Sequence, residues 1–133
     1  MSLTVAIQSR LAGDALLAAD LSTYRGVPAV FTQDPVPEDA ELPYVVTCGE
    51  VGQSAFDTKT SRGRDAVRDV RCYANATGSV VLIERIAERV RELLHRHQLA
   101  GAIYTTASGP TVLPTDSTVY GRLVSLRWVG TLS

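Results

Sequence analysis

The stretch that follows Thr77-Gly78-Ser79 constrains the fold of this chain more than any other. Ile83, Ile86, Ala87, Val90, Leu93, Leu94 and His97 recur at the three- and four-residue spacing of one helix face, with charged residues between them. A helix with so narrow an apolar stripe must bury it against another element, and the flanking segments supply strands. Ser79 is the expected N-cap. Glu84 lies near the start and His95, Arg96 and His97 near the end, the order that suits the helix dipole. Glu92 and Arg96 form an i,i+4 pair, and Gly101 is the expected stop.

Around this helix the chain reads as strands. Residues 27–32 (VPAVFT) form a short strand that Pro28 confines to an edge or a strand start. Residues 43–49 (PYVVTCG) are nearly all apolar or β-branched, the pattern of a central strand. In residues 65–75, Val70, Cys72 and Ala74 share one face, and Asp69, Arg71 and Tyr73 share the other. Residues 102–107 and 119–129 read as a closing hairpin, with turn residues at Ser108-Gly109-Pro110 and Pro114 to Ser117. Leu3, Ala6, Ile7, Leu11, Ala15 and Ala18 fall at helical spacing, which predicts a first helix over residues 3–19 with Ser2 as its cap and Gly13 weakening its middle. The expected order is α-β-β-β-α-β-β: an α+β fold, one mixed or antiparallel β-sheet packed by two helices. Its core is expected to centre on Ile83, Ile86, Val90 and Leu94 against Val70, Cys72, Val124, Leu126 and Trp128. With 133 residues and no internal repeat, a single domain over 1–133 is expected.

Little in the sequence points to catalysis. His95 and His97, two apart on a helix, cannot share a metal as an i,i+4 pair would, and no Cys/His cluster supplies further ligands. Thr77-Gly78-Ser79 lacks the glycines and lysine of a phosphate loop. No Gly-x-Ser-x-Gly elbow is present. Glu38, Asp39 and Glu41 sit in a proline-flanked loop, not in the dry pocket that paired catalytic carboxylates need. The expectation is a protein that is not an enzyme, with no cofactor and no metal. Cys48 and Cys72 read as reduced core thiols. No signal peptide or membrane span is apparent.

Charge is distributed unevenly on a chain whose formal net charge is only −1. Asp34, Glu38, Asp39, Glu41 and Glu50 form an acidic segment without Lys or Arg. Lys59, Arg62, Arg64, Arg68 and Arg71 follow, against Asp65 and Asp69. Residues 52–64 (GQSAFDTKTSRGR) show no sustained periodicity and read as a long polar loop, a type of segment that is often functional. An acidic and a basic segment on one near-neutral domain suit head-to-tail contact between copies.

Three short motifs, in this order and spacing, resemble the tail-completion or tail-terminator proteins of long-tailed phages and phage-derived particles. Leu42-Pro43-Tyr44-Val45-Val46, preceded by Val36-Pro37, looks like the family's strand motif. Thr58-Lys59-Thr60-x-Arg62-Gly63 looks like its polar loop. Tyr120-Gly121-Arg122-Leu123 is similar to its closing-strand pattern of an aromatic residue, glycine and leucine. The resemblance implies a ring, typically a hexamer, that caps the tail tube, stops its growth and offers a surface to the head. Asp57, Lys59, Thr60, Arg62, Arg64, Glu38, Asp39 and Glu41 are then expected at subunit or tube interfaces. The implied partners are further copies of the chain, the tube protein and the head connector, with genome DNA passing through the lumen and no membrane. The implied location is the host cytoplasm during assembly and the neck of the particle afterwards. Another neck or tail adaptor is the nearest alternative. A small nucleic-acid-binding module using residues 59–71 is a further one, opposed by the interleaved Asp65 and Asp69 and by Tyr73 being the sole aromatic nearby.

Overall fold

In a computed structural model of the chain, the described residues are 3–32, 36–57, 62–97, 102–115 and 117–131; side chains are not described for 48–57, 62–65, 102–104 and 131. The first helical pattern folds as two helices, α1 (Leu3–Ala12) and α2 (Ala15–Asp20), where one was expected. The break falls at Gly13-Asp14. Asp14 is extended, and its carboxylate accepts the Leu17 N–H at 2.9 Å, so it caps a new helix and ends the old one. Ser2 lies outside the described residues.

The chain then makes a small antiparallel ribbon, β1 (Thr23–Tyr24) with β2 (Val27–Pro28). Arg25 and Gly26 turn it with φ of 51° and 86°, both left-handed, as a two-residue hairpin loop of the favoured twist requires. After Ala29 comes β3 (Val30–Phe31). The single strand expected over 27–32 is therefore split in two, and its halves belong to different sheets.

The main sheet has the order β3-β4-β5-β7-β6, built from β4 (Tyr44–Asp57), β5 (Arg62–Asn75), β6 (Ala102–Val112) and β7 (Val119–Thr131). β3 runs parallel to β4; every other neighbour is antiparallel. The fold is thus α+β with a mixed sheet.

Between β5 and β6 lies α3 (Val81–Leu94). Its stripe packs as the periodicity predicts. Ile83, Ile86, Ala87, Val90 and Leu94 are fully buried, in one cluster with Val70, Cys72, Val124, Leu126 and Trp128. α1 and α2 extend the same layer through Leu3, Ile7, Leu11 and Leu17. Each fully buried Ile or Leu contributes about 1.5–3 kcal/mol of transfer free energy. All three helices lie on one side of the sheet, since the buried residues of β5 (Ala66, Val70, Cys72, Ala74) and of β7 (Val124, Leu126, Trp128) are those of one pleat face.

The end of α3 differs from the expectation. It stops at Leu94, ahead of Gly101, which lies outside the described residues. His95 is extended, and Arg96 takes the left-handed turn with φ 57°. The N-cap is Val80, which makes no side-chain cap bond, and not Ser79 as expected; the Ser79 hydroxyl, one residue earlier, accepts the Val81 N–H at 3.3 Å. The expected turn at Ser108-Gly109-Pro110 is instead strand. β6 passes through it with a register irregularity between Ser108 and Thr111.

Candidate assembly surfaces

The largest departure from expectation concerns residues 52–64. The described residues of this stretch are strand, not loop: β4 continues to Asp57, β5 begins at Arg62, and the two pair in register as Asp57↔Arg62, Phe56↔Gly63, Ala55↔Arg64 and Ser54↔Asp65. Lys59 and Thr60, two of the expected interface residues, lie outside the described residues. Asp57, Arg62 and Arg64 belong to strands, near the end of a 14-residue ladder. Polarity and glycine content concealed the strand. An antiparallel ladder forms through its backbone groups and needs no apolar alternation to do so.

The acidic residues occupy the opposite end of the same strand. Glu38, Asp39 and Glu41 are exposed in the segment that leads to Tyr44, the first residue of β4. A strand of 14 residues, at about 3.3 Å each, separates its two ends by about 40 Å. Glu38, Asp39 and Glu41 are thus far from Asp57, Arg62 and Arg64, while Glu50 stands opposite Arg68 in mid-strand.

The acidic end is well anchored. Asp39 accepts the Tyr24 hydroxyl at 2.8 Å, and this bond pushes the Tyr24 pKa upward. Ser22 Oγ donates to the Glu41 and Pro43 carbonyls at 2.5 and 3.0 Å. Tyr24, Phe31, Tyr44 and Tyr73 form a ladder of rings, with centroids 5.3, 5.7 and 5.6 Å apart at steep angles, and Arg25 lies over the Tyr24 ring at 5.3 Å. This ladder lies on the sheet face away from the helices, as the parity of Tyr73 requires. Gly121 faces Tyr73, and a Cβ there would meet Thr115, Leu113 and the Tyr73 ring at 2.9, 3.1 and 3.3 Å. The glycine of the closing-strand motif is thus a packing requirement. Its neighbours are used as well: the Tyr120 hydroxyl accepts the Gly78 N–H at 3.1 Å, and the buried Arg122 pairs with Glu84 at 3.5 Å.

The basic run does not form one track. Arg68 reaches the helix layer and donates to the Thr4 hydroxyl at 2.5 Å, while Arg71 lies on the other face by strand alternation. A nucleic-acid strand could not follow both.

Two ion pairs that the sequence reading missed hold the helix layer together. Arg89 binds both carboxylate oxygens of Asp14 at 2.7 and 2.9 Å, and Arg85 does the same to Asp20 at 2.7 and 2.9 Å. The Arg89 hydrogen bond holds the Asp14 carboxyl down at about 2. Arg85 and Arg89 at i,i+4 on the polar face were the available signal; their partners lie 65 and 75 residues away in sequence.

Both histidines lie beyond the last residue of α3. His95 Nδ1 accepts the Ala107 N–H at 3.1 Å, and burial lowers the His97 pKa. Burial pushes the Cys72 thiol up to about 12. Among the described residues no cluster of His, Cys, Asp and Glu could hold a metal ion, and no helix is long and apolar enough to cross a membrane.

No family model matches the chain, and no curated protein does. Among solved structures, its fold is shared by a chain of the virion of a native gene transfer agent (GTA) particle. The TM-score is 0.79 and the identity 18%, over 98% of this chain and 96% of that one. The two chains therefore share a fold from end to end.

Proposed function

We propose that this chain is a structural protein of a phage-derived particle and, more specifically, a tail terminator. Copies of it form a ring, hexameric as the motif resemblance implies, that caps the tail tube, ends its growth and presents the surface to which the head attaches. The reading needs no catalysis and no cofactor. The observation that carries it is the whole-chain fold likeness to a component of a gene transfer agent virion. The three motifs named above narrow it to the terminator.

The geometry supports a ring. Glu38, Asp39 and Glu41 lie at the opposite end of the β4–β5 ladder from Arg62 and Arg64, so these groups can meet between neighbours in a head-to-tail arrangement that closes. A tube built of identical rings has no intrinsic stop, because each new ring presents the same surface again. A cap must bind that surface and offer a different one.

The test is electron microscopy of particles from a strain lacking this gene. The expected result is tubes of irregular or excessive length and heads that fail to join tails. Tails of normal length, joined to heads, would overturn the assignment.

A further inference from the structure

β6 is an outer strand of the main sheet, and no described strand lies beside it on the side away from β7. Part of its outward backbone is instead taken up by the end of α3. The Arg96 N–H bonds the Thr105 carbonyl at 3.0 Å, and His95 Nδ1 accepts the Ala107 N–H at 3.1 Å. A histidine ring thus stands where the carbonyl of a further strand would stand. Arg96 makes this turn with φ 57°, a conformation that a residue with a side chain adopts at a cost.

An imidazole nitrogen accepts a hydrogen bond only while it carries no proton. His95 is therefore held neutral with its proton on Nε2, and a second proton would set N–H against N–H. The last carbonyls of α3, natural acceptors for a protonated ring, already have donors. That of Arg91 takes the His95 N–H, that of Leu93 the Arg10 guanidinium, and that of Leu94 the Thr105 hydroxyl. The charged side chains of the elements that meet here are Arg10 of α1 and Arg91, Glu92 and Arg96 at the end of α3. Glu92 is engaged by Arg89 at 3.2 Å. Residues 105–108 of β6 and residues 98–101 carry no titratable side chain, and the Tyr104 phenol does not ionise in acid. Arg127, beside Thr106 on β7, belongs to the opposite pleat face.

We propose that His95 is a pH-operated latch on the β6 edge: neutral, it holds the end of α3 against the strand, and protonated, it releases the Ala107 N–H and lets residues 95–97 move away. His97 adds to this in the same direction. Burial, and then the charge of Arg10, hold its pKa below the ordinary histidine value, so the open corner takes up that proton before the closed one does. As pH falls, proton uptake by His97 therefore favours the open corner; as pH rises, the corner closes. The latch belongs to the single subunit and is independent of the terminator reading, since its test uses the purified protein alone.

The test is an NMR titration of the purified protein from about pH 8 to about pH 5, the range in which histidine ordinarily changes charge. At the upper end His95 is expected as the Nε2–H tautomer, with the Ala107 amide protected from hydrogen exchange. As the ring protonates, the protection factor of that amide is expected to fall about tenfold, the equilibrium equivalent of one hydrogen bond, while the Val70 and Cys72 amides keep theirs. His95→Asn places an acceptor close to the Nδ1 position and does not titrate. Its Ala107 amide is expected to stay protected over the range in which the wild-type His95 ring titrates, and to yield only where the His97 ring protonates. His95→Ala, without an acceptor, is expected to leave that amide unprotected throughout. Three results would each overturn the latch: a proton on Nδ1 at the upper end, an Ala107 amide whose protection does not follow the His95 ring, or a His95→Asn variant that opens over the same range as the wild type. Should His95→Ala fail to fold, the wild-type titration and His95→Asn decide.

Discussion

The part of the sheet beneath the helices and the part beyond them are made of the same strands but differ in how plainly the sequence announces them. The end of α3 meets the sheet at Thr105, whose row runs Thr105–Trp128–Ala66–Gln53. Behind that row, apolar side chains from three helices meet the sheet. Ahead of it, the rows from Ser54–Asp65–Val129 to Asp57–Arg62 carry the ladder on past the last turn of α3. The first part buries a continuous apolar layer; in the second the backbone ladder continues in register, with Val129 still buried.

Substitutions can sharpen or break this contrast. Ile86→Ala removes a side chain with no exposed surface from the centre of the helix–sheet contact, and about 2–5 kcal/mol of stability should go with it. Denaturant unfolding measures this; a loss below about 1 kcal/mol would mean that the covered part does not depend on burial.

Asp14→Asn tests the clamp between α2 and α3, and it should act through pH. The folded-state pKa of Asp14 is depressed to about 2 from 3.8. Its ion pair with Arg89 therefore contributes stability that is fully present above about pH 4 and is lost as pH falls toward 2. Wild type and variant should differ by about 1 kcal/mol at neutral pH and converge in acid, followed by thermal melts across that window. A difference independent of pH would assign the effect to the cap alone.

The smallest stability effect is expected for the double reversal Arg62→Glu, Arg64→Glu, within about 0.5 kcal/mol of wild type. Its effect on assembly should be large: capped tails should be lost while the melting curve stays in place. Normal capping by this variant would remove both residues from any interface. A large loss of stability would mean that the outer rows belong to the core after all.

The sequence made the covered part legible and left the outer part obscure, for one physical reason. Burial writes a periodicity, and the stripe of α3 and the alternation of Val124, Leu126 and Trp128 could be read directly. Backbone pairing writes none, so residues 52–57 and 62–64 looked like a loop. The first helix was misjudged at a legible place: Gly13-Asp14 is a stop followed by a cap, and either residue alone was open to a milder reading. The aromatic ladder was not legible, because Tyr24, Phe31, Tyr44 and Tyr73 are brought together only by sheet order. The charged segments are visible in the sequence, but only the register puts Glu38, Asp39 and Glu41 at one end of the ladder, Arg62 and Arg64 at the other, and Glu50 opposite Arg68 between them.

The turn at Arg96 links two motions that are usually separate. The half-turn that ends α3 also guards β6, so the fraying to which every helix terminus is prone would here uncover two backbone groups of a sheet edge. Loosening of the helix and exposure of a strand template are one event in this chain. A change that weakens that corner, such as removing the His95 ring, would be felt first as stickiness and only later as unfolding.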